Sequence, residues 1–560
     1  GITMMNTKND GRAQVLKHLS AALCCLMAVG CAEPDSVIKT SNIELASPIK
    51  VEIIATGAQI AGANGMALGP DGMLYVASVL GSNITVLDPD SGDVQRVYGA
   101  TEGVIGPDDV AFSSDGAWYW TSIMTGEVAG FNVAGDKVIA ANLTAGVNPI
   151  TFSDDDRLFV AQCFFGVNLY EVDPAGAMPA RLISDTLGPD CGLNGMDWGP
   201  DGRLYGPRWF QNEVVSFDVD AGSMRTEATG FNTPAAVKFD SEGRLHVLDT
   251  GTGELFRMQG EDAVLVAQLS PGLDNFEIDQ EGRFFVSSFV DGFVKRVNVD
   301  GTITELMPGG MAHAGGITFH DGFMVVADLH SIRAFALDGQ EAYTTRNVLG
   351  TGIMGGALNI ASDDGQLILT SWVDGDVRLW DQAAQRQTWR KAGLAGPVAA
   401  VRFGAEVVVS EHGTGRVVGF DANGAEAAVY AEGLPAPTGL WSSGGDLFVS
   451  DRKLGQILQL AEAGAVLSPY RVVVSGLTTP EGFVVKGQDF VVVEADLGQV
   501  TRIKAKGERL VLADVPAGSQ AASLDQPPSQ VFNGIAMDDA GALYVPGESN
   551  RVLYKITGAF

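Results

Sequence analysis

Basic residues, cysteines and histidines are all scarce in this chain of 560 residues. Lysine and arginine total 36 against 68 aspartates and glutamates, which gives a formal net charge of −32 and argues against a nucleic-acid partner, because phosphate binding needs clustered basic side chains. The six histidines show no zinc-like pairing, and five cysteines supply too few thiolates for a sulfur-ligated metal site. No G-x-S-x-G motif stands in a strand-to-helix context, which argues against a Ser-His-Asp hydrolase.

The apolar run near the start of the chain, residues 19–29, is shorter than the roughly 20 residues that span a bilayer. Basic residues precede it and small residues lead from it to Cys31, a pattern typical of a secretory signal. The segment resembles a bacterial lipoprotein signal, whose cysteine is lipidated, although Ala28 stands where leucine is commonest. We expect a signal at residues 1–31, a tether at 32–47 and an outer-membrane lipoprotein that faces the periplasm or the cell surface. A secreted protein with an ordinary signal is the alternative.

The remaining cysteines suggest a crosslink. Cys24 and Cys25 would leave with the signal and Cys31 would be acylated, so only Cys163 and Cys191 remain in an exported protein. Two cysteines in that setting are a candidate disulfide. Two buried, unpaired thiols are the alternative.

Glycine is abundant, at 71 residues, and much of it lies in one repeated phrase. An apolar strand, an Asp/Gly turn and an aromatic strand recur about every 43 residues, as in GMALGPDGMLYVAS at residues 65–78. A period in that range without a helical pattern is typical of a β-propeller. We therefore predict an all-β protein of about twelve four-stranded blades. In the first blade the strands are expected at residues 66–68, 73–77, 83–87 and 94–98.

The ends of the array are offset, since Lys50–Thr56 (KVEIIAT) matches an outermost strand while the last unit lacks one. Two closures satisfy this offset. In one, a single ring of twelve blades is closed by Lys50–Thr56 on the last blade. In the other, Lys50–Thr56 closes blade six and residues 302–306 close blade twelve, which gives six-bladed propellers at residues 48–299 and 300–560. We favour two rings because propellers usually have four to eight blades.

One position, at the start of the innermost strand of each blade, divides the chain into two halves. Loops at this position and loops leaving the second strand emerge on one face around the central channel. In blades one to six the position is polar in five of six cases: Asn64, Asp108, Asn148, Asn194, Ala235 and Asp274. In blades seven to twelve it is mostly small or apolar: Gly315, Gly356, Ala399, Pro437, Glu481 and Asn533.

Converging Asp and Asn oxygens are the ligands that a hard divalent cation takes, so Asn64, Asp108, Asn148, Asn194 and Asp274 are candidate metal ligands. We expect Ca²⁺, with Mg²⁺ or Mn²⁺ as alternatives. These side chains could instead form turns or satisfy backbone groups, which is a frequent role of Asn and Asp.

The phrase LNGMDWGPDGRLYG at residues 193–206 resembles the asparagine motif of the senescence-marker-protein/gluconolactonase family. Members are six-bladed propellers with a central divalent cation that hydrolyse lactones and related esters. The family's asparagines fall on Asn194 and Asn148, whereas its glutamate is replaced at Asn64 and its aspartate, a ligand and general base, at Ala235. The second half is similar only to generic NHL-type or streptogramin-lyase-type repeats.

The resemblance implies a metal-dependent hydrolase of a lactone, ester or sugar-acid derivative. Asp108, Asp109 and Asp274 are the candidate catalytic carboxylates in place of the missing aspartate. The exits of the second strands supply a candidate substrate pocket, which comprises Phe164, Phe165, Arg208, Trp209 and Phe210.

Two other interpretations stay open. A monomeric, non-catalytic propeller could bind a protein, glycan or small ligand at the cell envelope, as the alanine at position 235 suggests. A lyase that uses Glu411 and His412 is the weaker alternative, because neighbouring residues of a strand point to opposite faces.

Overall fold

The computed structural model describes residues 48–349, 354–518, 527, 529 and 531–560. The predicted signal, the tether and Cys31 lie outside the described residues. The described chain contains 48 β-strands and two short 3-10 helices, Ala100–Glu102 and Ala495–Leu497. Within these ranges no helix is long and apolar enough to cross a membrane.

The strands form twelve antiparallel sheets of four strands each, which confirms the predicted all-β propeller blades. Strands β2 to β25 make blades one to six in chain order, four strands to a blade. These strands are Met66–Leu68, Leu74–Ser78, Asn83–Leu87 and Val94–Tyr98; Pro107–Phe112, Trp118–Ser122, Glu127–Phe131 and Lys137–Asn142; Val147–Phe152, Leu158–Gln162, Leu169–Val172 and Arg181–Ser184; Asp197–Trp198, Leu204–Arg208, Glu213–Asp218 and Ser223–Thr229; Pro234–Phe239, Leu245–Asp249, Glu254–Gln259 and Asp262–Gln268; Leu273–Ile278, Phe284–Ser288, Val294–Val297 and Ile303–Met307.

Strands β26 to β48 make blades seven to twelve, and β1, Lys50–Thr56, completes the last of them. These strands are Ile317–His320, Phe323–Ala327, Ser331–Phe335 and Glu341–Arg346; Asn359–Asp363, Gln366–Ser371, Asp376–Asp381 and Arg386–Lys391; Pro397–Phe403, Glu406–Glu411, Arg416–Phe420 and Glu426–Ala431; Pro437–Ser443, Asp446–Asp451, Gln456–Glu462 and Ala465–Val474; Pro480–Lys486, Asp489–Glu494, Gln499–Ile503 and Arg509–Asp514; Ala536–Met537, Leu543–Pro546 and Val552–Thr557.

The repeated Asp/Gly phrase builds the hairpin between the first two strands of a blade. In blade one, Gly72 has φ of 78°, in the left-handed region that favours glycine. The Asp71 carboxylate accepts hydrogen bonds from the Met73 backbone N–H at 3.0 Å and from the Tyr75 hydroxyl at 2.9 Å. Asp201 accepts the Tyr205 hydroxyl in the same way at 2.8 Å. In blades one and four the tyrosine that follows the turn therefore both packs between blades and closes the turn that precedes it.

The two-ring interpretation above assigned an outermost strand to blade six and another to blade twelve. Both strand assignments are wrong. Lys50 pairs with Thr557 of β48, so β1 belongs to blade twelve. Ile303 pairs with Val297 of β24, so β25 belongs to blade six, and the sixth sheet reaches Met307 beyond the expected boundary at residue 299. A short turn joins β24 to β25, and closing such a hairpin costs little chain entropy. The N-terminal strand then covers the remaining open edge of blade twelve.

Two further contacts link blades that are distant in sequence. The innermost strand of blade one, β2, contacts the innermost strand of blade six, β22, and their core includes Met66 and Phe285. Likewise β26 of blade seven contacts β46 of blade twelve, and Met324 and Tyr544 share one core. Blade one thus packs on blade six, and blade seven packs on blade twelve.

Candidate functional site

The five polar residues at the starts of innermost strands all line one cavity of about 500 Å³. Blades one, two, three, four and six each contribute one of them, because the same position of each repeat faces the same end of the channel. Asp108, Asn148 and Asn194 are buried, with 5%, 4% and 3% of their surface exposed. Blade five places Ala235 at this position, where it is buried among apolar side chains and supplies no oxygen.

Asn64 and Asp274 are joined by a hydrogen bond of 2.9 Å from Asn64 Nδ2 to Asp274 Oδ2. The Val79 backbone N–H donates to Asn64 Oδ1 at 2.9 Å. Asn64 Nδ2 thereby orients the Asp274 carboxylate, while Asn64 Oδ1 accepts one bond and keeps a second lone pair.

Three carboxylates line this cavity, of which Asp374 pairs with Arg378 at 3.1 Å. Burial raises the pKa of the other two, Asp108 and Asp274. For Asp108 the pKa lies well above its usual range, since burial and then repulsion by Asp274 and Asp109 disfavour the charged form. Burial raises the pKa of Asp274 to about 7; the Asn64 hydrogen bond lowers it, and Asp109 raises it. No basic side chain among the described residues lowers either pKa. The negative charge of the ionised pair is therefore not offset by such a group and would attract a cation.

The oxygens that remain free suit a hard cation. The Asp108 carboxylate accepts no hydrogen bond that lowers its pKa, and one oxygen of Asp274 lies outside the bond from Asn64. Asn194 Oδ1 accepts the Gly195 backbone N–H at 2.9 Å, and a carboxamide oxygen has a second lone pair. Asp108, Asp274, Asn148 and Asn194 therefore provide oxygen donors of the kind that Ca²⁺ accepts. Among the described residues no group of three or more His, Cys, Asp or Glu side chains is placed to hold a metal ion, so carboxamide oxygens would have to complete the ligand set.

Asp109 lies outside the cavity lining. Its Oδ1 accepts the Val110 N–H at 2.9 Å and its Oδ2 accepts the Ile150 N–H at 3.2 Å, so both oxygens brace the inner strands of blades two and three. Burial raises the pKa of Asp109 to about 7, against the lowering effect of Lys238. Its contacts are those of a structural residue, and of the three predicted catalytic carboxylates Asp108 and Asp274 line the cavity.

Three of the five residues predicted for the substrate pocket line the cavity. Phe164, Phe165 and Trp209 line the cavity, and the Phe164 and Trp209 rings meet edge to face with centroids 5.3 Å apart. Phe210 packs against Phe164 behind this wall. Arg208 points elsewhere, into contacts with Glu213 Oε1 at 2.8 Å and the carbonyl oxygen of Leu187 at 2.8 Å.

A disulfide joins Cys163 to Cys191 behind the same wall. Both cysteines are fully buried and pack with Trp209, Phe289 and Ala235. The crosslink connects the exit of the second strand in blade three to the segment that precedes Asn194, and it holds the aromatic wall beside the polar residues.

Blades seven and eight also line the cavity, which was not predicted. His330, Asn347, Leu349 and Arg378 are among these residues. The Trp209 Nε1–H donates to the carbonyl oxygen of Leu349 at 2.9 Å, which ties blade four to the connection after blade seven. One signal was available, because His330 is the third residue after the second strand of its blade, as Phe165 is in blade three.

Several solved structures are similar to this chain at low sequence identity. A streptogramin B lyase structure is 15% identical with a TM-score of 0.38, over 53% of this chain and 98% of that chain. Virginiamycin B lyase from Staphylococcus aureus is 11% identical with a TM-score of 0.36, over 52% and 98%. The likeness is one of fold. The extracellular domain of BT4673 from B. thetaiotaomicron is 11% identical with a TM-score of 0.32, over 90% and 82%. No family model and no curated protein matches the chain.

Proposed function

We propose that the cavity binds a small molecule and hydrolyses an ester or lactone bond with the help of a divalent cation. The observation that carries the proposal is the pair of carboxylates, Asp108 and Asp274, that line one cavity and whose raised pKa values no basic side chain offsets, since the Arg378 of this cavity is paired with Asp374 and Asp376. Two carboxylates in a buried site repel each other when both are ionised, so the site favours binding of a cation or of a proton. A bound cation and a transferable proton are both useful in catalysis.

The cation would be held by Asp108, Asp274, Asn148 and Asn194, with Asn64 keeping Asp274 in place. Ca²⁺ is the ion we propose, and Mg²⁺ and Mn²⁺ are alternatives. When bound, such an ion polarises a carbonyl and stabilises the negative charge that develops on its oxygen.

Asp274 is the proposed general base. In the metal-free protein burial raises its pKa to about 7, which marks it as a carboxylate able to hold a proton near neutral pH. The water oxygen attacks the carbonyl carbon, the C–O bond to the leaving oxygen breaks, and the proton passes from Asp274 to that oxygen. One water is consumed, and a carboxylic acid and an alcohol are formed. Phe164, Trp209 and Phe289 form an apolar wall that limits access of bulk water.

The test is turnover of a panel of small lactones and aryl esters with Ca²⁺, Mg²⁺ or Mn²⁺. We expect turnover to depend on the cation and to stop when a chelator removes it. Asp274→Asn should lower kcat/KM about 100-fold or more. Asp109→Asn, a buried neighbour outside the cavity, is the matched control and should keep most of the activity. An Asp274→Asn variant as active as the native protein would exclude the hydrolytic role.

A non-catalytic ligand-binding function is the second candidate, and Ala235 favours it. The ring of polar residues lacks an oxygen at this position, which leaves the cation site with fewer ligands from the chain. Saturable binding of a small molecule without turnover of any ester in the panel would support this candidate over the hydrolase.

We further propose that the twelve blades form two six-bladed rings. The packing of blade one on blade six and of blade seven on blade twelve supports this arrangement. A second cavity, of about 260 Å³, is lined by innermost strands of blades seven to twelve, as expected for the channel of the second ring. Small-angle X-ray scattering should show a two-lobed particle, whereas a single ring of twelve blades would give a particle with a central hole.

The export and lipid anchor predicted from residues 1–31 remain proposals, as does the monomeric state. Lipidation would place the cavity at the cell envelope, where an envelope-derived small molecule is the expected ligand. Mass spectrometry of the membrane-bound protein should find Cys31 acylated, and a protein that stays wholly soluble with Cys31 unmodified would contradict the anchor.

A further inference from the structure

One wall of the cavity comes from blade seven, in the half of the chain without the polar ring. His330 follows β27, Asn347 follows β29, and the Asn347 backbone N–H donates to the His330 carbonyl oxygen at 2.7 Å. Both residues line the cavity beside Phe289 and Trp209. A ligand that reaches Asp108 and Asp274 from this cavity therefore lies within one enclosure with residues of blade seven.

Two polar atoms on this wall are buried without a hydrogen-bond partner. They are His330 Nδ1 and Asn347 Oδ1. Asn347 is 5% exposed, and the His330 ring packs edge to face against Phe289 and His313, with centroids 5.0 and 5.3 Å away. Leaving a buried polar atom unpaired costs free energy, so such atoms usually meet a partner that is not part of the chain.

The other polar groups of this wall already have partners. His313 Nε2 lies 3.1 Å from the carbonyl oxygen of Phe289. The Arg378 guanidinium donates to Asp376 at 2.9 Å and to Asp374 at 3.1 Å. His330 and Asn347 thus offer the unpaired hydrogen-bonding atoms of the wall within the described residues.

The chemistry of these two atoms indicates the group that they would bind. Burial and the nearby His313 lower the pKa of His330 to about 3, so the ring is neutral, and Nδ1 donates or accepts according to the tautomer. The Asn347 carboxamide likewise presents a donor or an acceptor, depending on its rotation. A hydroxyl group both donates and accepts, so it pairs with either atom in each of these states.

We propose that His330 and Asn347 form a subsite that hydrogen-bonds a hydroxyl group of the ligand and so select hydroxylated over deoxygenated molecules. The subsite rests on the proposed function, since the ligand's reacting bond is placed at Asp108 and Asp274. It makes ligand recognition depend on both halves of the chain, because the cation site lies in the first half and the selecting residues lie in the second.

The first test is thermal. Replacing an unpaired buried polar group by an apolar one of similar shape is neutral or stabilising in the free protein. We expect His330→Phe and Asn347→Leu to leave the melting temperature unchanged or raise it. His313→Phe is the matched control and should lower the melting temperature, because its ring nitrogen has a partner. A fall in melting temperature for both test variants, as large as that of the control, would show that the two atoms serve folding and overturn the proposal.

The second test uses γ-butyrolactone and α-hydroxy-γ-butyrolactone as matched probes, with binding measured by saturation-transfer NMR and turnover by acid release. The native protein should bind the hydroxylated probe roughly tenfold more tightly or better. In His330→Phe and Asn347→Leu this preference should disappear.

The outcomes separate the subsite from the hydrolase. Preference for the hydroxylated probe that both variants lose, without turnover, supports the subsite and counts against the hydrolase. Turnover of both probes without preference supports the hydrolase and overturns the subsite. Failure of both probes to bind, or a preference that survives both substitutions, also overturns the subsite, and a bound water then accounts for the two unpaired atoms.

Discussion

At the scale of residues, two adjacent aspartates have different environments. Asp108 lines the cavity, whereas Asp109 binds the backbone N–H groups of Val110 and Ile150. Successive side chains of a strand point to opposite sides, so only one of the two can face the cavity. The sequence places both at the start of the same strand, but it does not show which one turns inward. The pattern therefore predicted a carboxylate at the start of this strand, but not whether Asp108 or Asp109 faces the cavity.

The free energy of unfolding should depend on pH because of Asp274. Its pKa is raised to about 7 in the folded protein, against about 4 in an unfolded chain, so the folded state binds the proton more tightly. The free energy of unfolding should therefore fall as pH rises from about 4 to 7 in the presence of a chelator. Asp274→Asn removes this loss, and at pH 8 its melting temperature should exceed that of the native protein by about 2 °C.

Differential scanning calorimetry between pH 4 and pH 8 checks this expectation. Asp300→Asn serves as the control, because Thr302 lowers the pKa of that exposed carboxyl and its removal should leave the slope between pH 4 and 7 in place. Parallel melting curves for Asp274→Asn and the native protein would contradict the expected effect, as would a slope of the opposite sign.

At the scale of elements, turn chemistry located the strands closely. In blade one the strands expected at residues 66–68, 83–87 and 94–98 are observed at those bounds, and the second lies at Leu74–Ser78, one residue later than expected. The turn at Asp71 and Gly72 fixes where one strand ends and the next begins, which is local information that a sequence carries.

Partners of outer strands were harder to predict. Lys50–Thr56 and Ile303–Met307 are both short, half-exposed strands, and either sequence suits the edge of any blade. Their pairing depends on which edge is near in space, so it is a property of the closed fold. The N-terminal strand is followed by a close crossing in which the Gly57 N–H donates to the Arg551 carbonyl oxygen at 2.7 Å. A Cβ on Gly57 would come within 2.4 Å of that oxygen, so the crossing requires glycine.

A buried ion network joins blade six to blade seven. Arg333, which is 1% exposed, donates to Asp328 at 2.7 Å and to Asp291 at 2.5 Å. Arg333→Met would leave buried Asp328 without its cation and Asp291 with Arg346 alone, and we expect it to lower the free energy of unfolding by about 3–5 kcal/mol. Denaturant titration followed by circular dichroism measures the change.

The more exposed Arg346 is the matched control for this network. It contacts the same Asp291 at 3.0 Å, with about a quarter of its side chain exposed, so Arg346→Met should cost much less. Equal losses for the two variants would show that the buried network does not provide the stability assigned to it.

At the scale of the whole molecule, the two halves of the repeat contribute differently to one cavity. The first half supplies the carboxylates and carboxamides, and the second half supplies His330, Asn347 and Arg378. The sequence predicted the first contribution, because polar residues recur there at a fixed position of the repeat. It did not predict the second, since contacts between blades three to six and blade seven depend on packing that repeat periodicity does not encode.

The central claim is that Asp108, Asn148, Asn194 and Asp274 bind a divalent cation in this cavity. The most direct measurement is the anomalous difference map of crystals of the protein grown with Mn²⁺. The account predicts a peak in the cavity, about 2.0–2.6 Å from oxygens of Asp108 and Asp274, which disappears in crystals of Asp108→Asn. A map without a peak there at saturating Mn²⁺, or with manganese bound only elsewhere, would contradict it.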